Sequence, residues 1–545
     1  MYADKFYNDI AKENFYLGIV SKVFRECSYV QIENLSLLKH RKIRNEILIP
    51  NTINFFVIVE DVQGLFFGEV YQETIQGTES VHNAISTGHN EKIYPEMAIN
   101  VTGLMDQTNQ FKLSGFRTVG INDKVYIAND DMVIRYLKSL EVNNYQYDNC
   151  NSQKSIANFA KLSGFSENEF SVQPNTLFDR HLMVLGATNS GKSTSALSIL
   201  DKLIQNKRKV LMIDPTGEYK DSFDKHEFKK LTLGEDTFLS VGQITIPQWE
   251  LLFQTNDNTQ GAVLGEAIKS LKFQYRVGKT EEVYEKHGKI IVNVKKDLLK
   301  VTDEDLNFQL SLLPKQIEEE SVEEGVKNNE ARYVTSTFKA NVNTWLIRKI
   351  EYVLNRTSVE NFIKIFGDGE EGSLINELDD FIRTPEKSLY IDVSKIGVTD
   401  GIGSMIVDLI SNHVINQEYN DPFIMFIDEA HRYTKFHTSF GEFGSGLVSI
   451  AREGRKKGIF LFLTSQSPKD VPNILLSQMG SLLIHRLTSM DEIQVVQNFL
   501  DKNEISRIKN LGQGEAVLAS INLLQNIQLK FIESGRTHYN KTPVL

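Results

Sequence analysis

The residues best suited to chemistry form a glycine-rich loop between an apolar run and a helical pattern. The segment GATNSGKST (186–194) satisfies G-x-x-x-x-G-K-[ST] and follows the strand-like run LMVLGA. Its glycines let the main chain wrap around a phosphate, so that N–H groups and a helix N-terminus point at negative charge. Lys192 is expected to reach the β- and γ-phosphates, and the Ser193 hydroxyl to coordinate Mg²⁺. The sequence therefore predicts a nucleoside triphosphate site, lined by Gly186, Asn189, Ser190, Gly191, Lys192, Ser193 and Thr194.

An acidic pair follows the apolar run of FIMFIDEAHR (423–432). Because open α/β sheets place their ligands at the carboxyl ends of strands, we expect this pair beside the phosphate loop. Asp428 would bind Mg²⁺ directly or through a water, and Glu429 would orient the attacking water or accept its proton. The alternative for the pair is a helix N-cap. His431 is a candidate sensor of the γ-phosphate, with packing or a surface contact as the alternative.

Three further segments carry candidate residues. IDPTGEY (213–219) places Asp214 and Glu218 after a strand, where acidic capping of a turn is the alternative to a nucleotide contact. Gln466 ends the run IFLFLTSQ and is suited to bridge a nucleotide and a moving loop. Arg452 and Arg455 are candidates for an arginine finger in a neighbouring subunit, the alternative being a solvated basic helix end.

The elements that must position these residues form an α/β pattern. Continuous apolar runs resemble strands buried on both faces of a parallel sheet, and helical segments separate them. The runs are LMVLGA (182–187), VLMID (210–214), SLYIDV (388–393), FIMFID (423–428), IFLFLTS (459–465) and SLLIHRL (481–487).

The predicted domain order has a β-rich start and an interrupted core. Residues 1–120 carry short strands typical of a small barrel or sandwich, and 121–177 form a connecting segment with a helix near 131–140. The ATPase core is assigned to 178–245 and 376–530. A helical insertion occupies 246–375, including the acidic stretch 317–330, and 531–545 form a tail.

Composition excludes several classes of protein. Sixty Lys and Arg residues against 71 Asp and Glu give a net charge of −11, so the overall charge does not indicate nucleic-acid binding. Two cysteines are too few for a disulfide framework or a four-cysteine zinc site. No apolar run reaches the 18 or more residues of a membrane span, and the N-terminus has no signal-peptide pattern. We expect a soluble cytoplasmic protein without a membrane partner.

The motifs together resemble the HerA–FtsK family of hexameric P-loop DNA translocases, and HerA most closely. The matching segments are GATNSGKST (186–194), IDPTGEY (213–219), FIDEAHR (426–432) and IAREGRKKGIFLFLTSQSP (450–468). The resemblance implies a RecA-like ATPase core with a parallel sheet, preceded by a small β-barrel of the HAS-barrel kind. It also implies that Lys192, Ser193, Asp428 and Glu429 bind and hydrolyse ATP with Mg²⁺, that Gln466 is the sensor, and that the region of Arg452 and Arg455 supplies a finger in trans.

The resemblance further implies a homohexamer with double-stranded DNA in its channel and a partner effector, either a nuclease or a sirtuin-like NADase of anti-phage defence. Lys229 and Lys230 are the preferred candidates for channel contacts, with an ordinary surface cluster as the alternative. The tail is expected to reach a neighbour or to be a loose end. The main alternative to a motor is a nucleotide-gated hexameric scaffold that activates its effector without processive translocation.

Overall fold

The computed structural model describes residues 3–539, apart from 8–10, 25–26, 44–45, 49, 51–54, 106–108, 110, 142–155, 163–168, 256–258, 328, 356–364, 368–371, 385–386, 396–401, 419–420 and 435–445. The chain divides into two compact units. The first comprises Met1–Leu177, Gly480–Arg486 and Val496–Phe531, and the second comprises Phe178–Met479, Leu487–Val495 and Ile532–Leu545. No helix among the described residues combines the length and the apolar character needed to cross a membrane.

The elements are numbered in chain order. The strands are β1 (Tyr16–Val23), β2 (Ser28–Ile32), β3 (Arg41–Ile43), β4 (Glu46–Leu48), β5 (Phe56–Asp61), β6 (Gly64–Thr74), β7 (Glu96–Met105), β8 (Phe111–Lys112), β9 (Lys124–Ile127), β10 (Ile156–Leu162), β11 (Glu169–Val172), β12 (Leu182–Leu185), β13 (Lys209–Asp214), β14 (Phe228–Thr232), β15 (Leu239–Ser240), β16 (Val322–Lys327), β17 (Glu330–Thr335), β18 (Phe366–Gly367), β19 (Ser388–Asp392), β20 (Phe423–Ile427), β21 (Ile459–Ser465), β22 (Ser481–Ile484), β23 (Glu515–Ser520) and β24 (Ile527–Phe531). The helices are α1 (Glu79–Thr87), α2 (Asp130–Lys138), α3 (Pro174–Phe178), α4 (Lys192–Gln205), α5 (Ile246–Phe253), α6 (Gln260–Arg276), α7 (Ile291–Leu298), α8 (Leu313–Glu319), α9 (Thr337–Leu354), α10 (Leu374–Arg383), α11 (Ile402–Ile415), α12 (Gly446–Glu453), α13 (Asn473–Leu476), α14 (Met490–Val496) and α15 (Lys502–Ile508).

The first unit contains a closed antiparallel barrel. Its strands follow the order β2-β1-β9-β5-β6-β7, and β7 pairs back with β2, which removes both sheet edges. Phe67 of β6 stacks on Tyr136 of α2 with ring centroids 3.9 Å apart, and the Tyr136 hydroxyl donates to Thr102 of β7. Because the polar end of this buried ring is satisfied, α2 packs onto the barrel core without a stranded hydroxyl. Five further strands of this unit follow the order β11-β10-β24-β23-β22, and each neighbouring pair among them is antiparallel.

The second unit contains the predicted parallel sheet, which confirms the α/β fold. Its strands follow the order β12-β21-β20-β13-β19-β14, and each neighbouring pair is parallel. All residues of β12, β13, β19 and β20 are buried, as continuous apolar runs require. The run 481–487 differs, because its strand β22 pairs antiparallel with β23. Strand β14 went unpredicted, since its sequence FKKLT carries two lysines that are tolerated at a sheet edge.

The segment predicted as a helical insertion contains α5 to α9 and the hairpin β16–β17. Its acidic stretch 317–330 falls on the end of α8 and on this hairpin. The Glu320 side chain is buried. One of its carboxylate oxygens pairs with the Lys286 ammonium, and the other accepts a hydrogen bond from the Ser270 hydroxyl at 2.8 Å. Helix α9 begins after Ser336, whose hydroxyl accepts the N–H of Lys339 as an N-cap.

Candidate active site

The phosphate loop joins the end of β12 to the start of α4. Asn189 and Gly191 have φ of +63° and +100°, conformations that asparagine and glycine adopt most easily. The Gly186 N–H donates to the Ser465 carbonyl at 3.3 Å, which ties the loop to β21. The buried Ser190 hydroxyl has no hydrogen-bond partner within the described residues. A buried donor aimed at no protein group fits a loop built to bind an external anion.

The centre of the site is an ion pair between the loop lysine and the second acidic residue. Lys192 Nζ lies 2.6 Å from Glu429 Oε1, and both side chains are buried. Gln466 Nε2 donates to the same oxygen at 2.5 Å, while its own Oε1 accepts from the Thr188 hydroxyl of the phosphate loop at 2.7 Å. His431 Nδ1 lies 3.2 Å from Glu429 Oε2. The structure therefore brings together four of the residues singled out in the sequence.

Charge explains the ionisation of Glu429. Burial alone would raise its pKa, but the Lys192 ammonium and the hydrogen bonds from Lys192 and Gln466 outweigh burial and hold the pKa below its ordinary value. Burial, followed by the charges of Arg432 and Lys192, lowers the pKa of His431 against the opposing effect of Glu429. Near neutral pH the site thus holds a carboxylate at Glu429 and a neutral imidazole.

Asp428 is held by a hydrogen bond from the neighbouring strand β21. Its Oδ1 accepts from the Thr464 hydroxyl at 2.5 Å, and the same hydroxyl accepts the Glu429 N–H at 2.9 Å. Burial is the main cause that raises the pKa of Asp428 to about 6. Glu429 has φ of +49° and ψ of +46°, a left-handed conformation that is uncommon for this residue. Thr464 therefore fixes both acidic residues, and it went unnoticed in the sequence because it appears there only as a strand residue.

The Asp214 carboxylate, at the end of β13, accepts hydrogen bonds from the turn that follows the strand. Its Oδ1 accepts the N–H groups of Thr216 and Gly217, and its Oδ2 accepts from the Tyr219 N–H and the Tyr390 hydroxyl. With its oxygens so engaged, Asp214 stabilises the turn, which is the capping alternative considered for it. Glu218 is half-buried. Burial and then the charge of Asp214 raise its pKa, while Lys192 opposes them.

The donor set fits a hard divalent cation. The Ser193 hydroxyl lies in the first turn of α4, and Asp428 directly follows β20. Hydroxyl and carboxylate oxygens are the ligand types that Mg²⁺ takes in nucleotide sites. Within the described residues no group of three or more His, Cys, Asp or Glu side chains forms a separate metal site.

The basic candidates lie elsewhere in the second unit. Arg455 forms an ion pair with Asp179 at 2.9 Å, and Arg452 is exposed in the last turn of α12. Lys229 belongs to edge strand β14, where it pairs with Glu377, and Lys230 donates to the Lys220 carbonyl at 2.5 Å. Over the described residues, these contacts of Arg455, Lys229 and Lys230 are made with groups other than Lys192 and Glu429.

Comparison with known proteins now identifies the family. A model of the HerA helicase central domain matches residues 158–414, and a model of the HerA-like helicase C-terminal domain matches residues 416–525. The chain belongs to the HerA–FtsK superfamily. The resemblance drawn from the four motifs is thereby confirmed. In this HerA-like chain, both the phosphate loop and the acidic pair lie inside the matched ranges, the loop in the first and the pair in the second.

The chain is similar to curated relatives and to a solved structure. A probable helicase of Methanocaldococcus jannaschii is 26% identical over 64% of this chain and 62% of its own length. The DNA double-strand break repair helicase HerA of Sulfurisphaera tokodaii is 26% identical over 66% of this chain and 65% of its own. The chain thus spans somewhat less than two thirds of these relatives. A structure of VirB4 of Thermoanaerobacter pseudethanolicus is 14% identical, with a TM-score of 0.46, over 71% of this chain and 98% of its own.

Proposed function

We propose that the Lys192–Glu429 site hydrolyses ATP with Mg²⁺. The observation that carries this proposal is the juxtaposition of the loop lysine, a buried carboxylate and Gln466 at the carboxyl ends of parallel strands. Phosphoryl transfer needs a cradle for the phosphates, charge neutralisation and a group that positions water. The loop supplies the first, Lys192 contributes to the second, and Glu429 supplies the third.

The ion pair implies an exchange of partners on nucleotide binding. A γ-phosphate near the loop competes with Glu429 for the Lys192 ammonium, because both are anions and the lysine offers one charge. When Lys192 turns to the phosphate, Glu429 is released to orient a water and to accept its proton. Gln466 contacts both Glu429 and Thr188 of the loop, so it is placed to register this change.

Mg²⁺ would be held by Ser193 and Asp428, and when bound it neutralises charge on the phosphates. The hydrogen bond from Thr464 fixes the orientation of the Asp428 carboxylate. The finger role remains with Arg452 or Arg455 of a neighbouring subunit. Arg455 would have to leave Asp179 to perform it, and because the Arg455 side chain is half-exposed, water can replace part of the lost interaction.

We further propose that hydrolysis drives movement of double-stranded DNA through a homohexameric ring, with a nuclease or a sirtuin-like NADase as partner. Membership of the superfamily and the names of the relatives, which are helicases, support a DNA motor. A net charge of −11 is compatible with this function, because a ring concentrates a few basic side chains in its channel.

The experiment is ATP hydrolysis by the purified full chain with and without linear double-stranded DNA, with the mass of the particle measured in solution. A hexamer whose turnover rises several-fold with DNA, and falls to background in Lys192→Ala, is the expected result. A hexamer with slow turnover that ignores DNA would favour the nucleotide-gated scaffold. Undiminished hydrolysis in Lys192→Ala would refute the site itself.

A further inference from the structure

Residues 532–539 lie against the segment that follows β13. We call residues 532–539 the tail and residues 217–227 the connection, and both belong to the second unit. The Ser222 hydroxyl donates to the Thr537 carbonyl at 2.6 Å, and the Tyr539 N–H donates to the Glu218 carbonyl at 3.2 Å. The Tyr539 hydroxyl donates to Asp221 at 2.8 Å. The tail is therefore docked along its own subunit rather than loose over these residues.

Arg536 is the main anchor of the tail. Its two terminal nitrogens donate to the two carboxylate oxygens of Glu227 at 2.7 and 2.8 Å, a bidentate pair. Its Nε donates to Asp201 of α4 at 2.8 Å, and its guanidinium lies 4.8 Å from the Phe223 ring centroid. The side chain is 22% exposed, so these bonds are partly shielded from water. The guanidinium also holds the pKa of Glu227 below its ordinary value.

His538 extends the contact towards the candidate active site. Its Nε2 lies 3.3 Å from Glu218 Oε2, and its ring meets the buried Tyr219 ring edge-on, with centroids 4.9 Å apart. Tyr219 packs on its other neighbour, Phe426, at 5.3 Å. Phe426 belongs to β20 and precedes Asp428 by two residues. A packed path thus runs from the tail to β20, the strand that directly precedes the acidic pair.

The second path runs through α4. Asp201, the partner of Arg536, lies on the helix that begins with Lys192. Arg536 therefore joins the phosphate-loop helix to the connection, and the connection carries Glu218 within electrostatic range of Lys192 and Glu429. Removal of this link would let the connection shift relative to the loop while leaving the sheet intact.

We propose that the tail is a clamp that positions the connection, and with it Glu218 and Tyr219, beside the nucleotide site, with Arg536 as the positioning residue. This inference rests on the proposed ATP hydrolysis at Lys192 and Glu429. The tail acts on its own subunit, and it does so by holding the connection in position. Arg536 contacts Glu227, Asp201 and Phe223, so its loss should act on the position of the connection and affect the rate of turnover more than the binding of ATP.

The test compares Arg536→Ala with wild type in the full chain. Arg332→Ala is the matched control, because it removes an arginine that pairs with the exposed Glu330 in the insertion. We expect Arg536→Ala to lower kcat about tenfold, as loss of a partly buried charge-assisted pair allows, with the KM for ATP changed less than about threefold. Arg332→Ala should match wild type. Arg536→Lys, which keeps the charge without the fork, should recover part of the rate.

Amide hydrogen exchange tests the clamp without any activity. In Arg536→Ala, amides of residues 217–227 should exchange at least about fivefold faster than in wild type, because their anchor is gone. Glu227→Gln, which keeps the tail but weakens the fork, should show a smaller increase in the same peptides. Unchanged exchange in both variants would overturn the clamp whether or not the protein hydrolyses ATP. Faster exchange with unchanged kcat would overturn its positioning role and leave the proposed hydrolysis standing.

Discussion

Thr464 offers the sharpest perturbation of the acidic pair. Its hydroxyl donates to Asp428 Oδ1 and accepts the N–H of Glu429, and the Thr464 side chain is fully buried. Thr464→Val keeps the shape of the side chain and removes both bonds. Asp428 then loses its only side-chain donor among the described residues, and the left-handed backbone at Glu429 loses its support.

The magnitude follows from these two bonds. A hydrogen bond to a charged group contributes about 1.5–3 kcal/mol. If this hydrogen bond stabilises the transition state by that amount through the position of the carboxylates, its loss slows turnover by about 10- to 150-fold, since about 1.4 kcal/mol corresponds to a factor of ten. The orphaned Glu429 N–H adds a penalty of about 1–3 kcal/mol to the conformation that holds Glu429 in place.

The assay is steady-state ATP hydrolysis with kcat and KM determined separately. Thr464→Val should lower kcat with little change in KM, because the phosphate loop and Lys192 are untouched. Thr464→Ser is the matched control, since it retains the hydroxyl, and it should remain within a few-fold of wild type. Equal turnover in Thr464→Val and wild type would refute the view that this hydroxyl positions the acidic pair.

Two further predictions concern His181 and Gln466. His181 is buried and neutral, with Nε2 at 2.9 Å from the Ala451 carbonyl and Nδ1 accepting the Leu461 N–H, and burial lowers its pKa to about 4. As the pH falls, His181 is therefore protonated in the unfolded chain before it is protonated in the folded chain. Stability from His181 is complete above about pH 6.5 and falls by about 1.4 kcal/mol per pH unit down to about pH 4. His181→Gln should flatten that dependence in thermal unfolding between pH 4.5 and 7.5; an unaltered slope would argue against a neutral buried imidazole. Gln466→Ala should lower kcat about tenfold with ATP affinity largely retained, because it removes the bond to Glu429 and the bond from the Thr188 side chain but no main-chain N–H of the phosphate loop. An unchanged kcat, or a loss confined to affinity, would contradict a sensor role.

The fold class and the family follow from the sequence because they depend on local patterns. Continuous apolar runs and the glycine-rich loop each act within a few residues, and the parallel sheet and the family match confirm what they predict. The spacing of residues also placed Lys192, Glu429 and Gln466 at neighbouring strand ends, and in the structure these side chains are joined by hydrogen bonds.

The remainder depends on contacts between residues far apart in the chain. Nothing near Thr464 in the sequence reveals that its hydroxyl faces Asp428, and nothing near Arg536 reveals Glu227 as its partner. Residues 331–335 lie within the segment predicted as a helical insertion, whereas they belong to β17 because pairing with β16 overrides their local pattern. Lys229 shows the same limit, since strand β14, to which it belongs, forms by pairing with β19, which lies far away in the chain.

The central claim is that Glu429 drives hydrolysis of an ATP held by Lys192. The most direct measurement is a single-turnover experiment with radiolabelled ATP and Mg²⁺ on wild type, Glu429→Gln and Lys192→Ala. We predict that wild type releases ADP, that Glu429→Gln retains intact ATP with at least about a hundredfold slower conversion, and that Lys192→Ala retains little nucleotide. Conversion of ATP by Glu429→Gln at the wild-type rate would contradict the account.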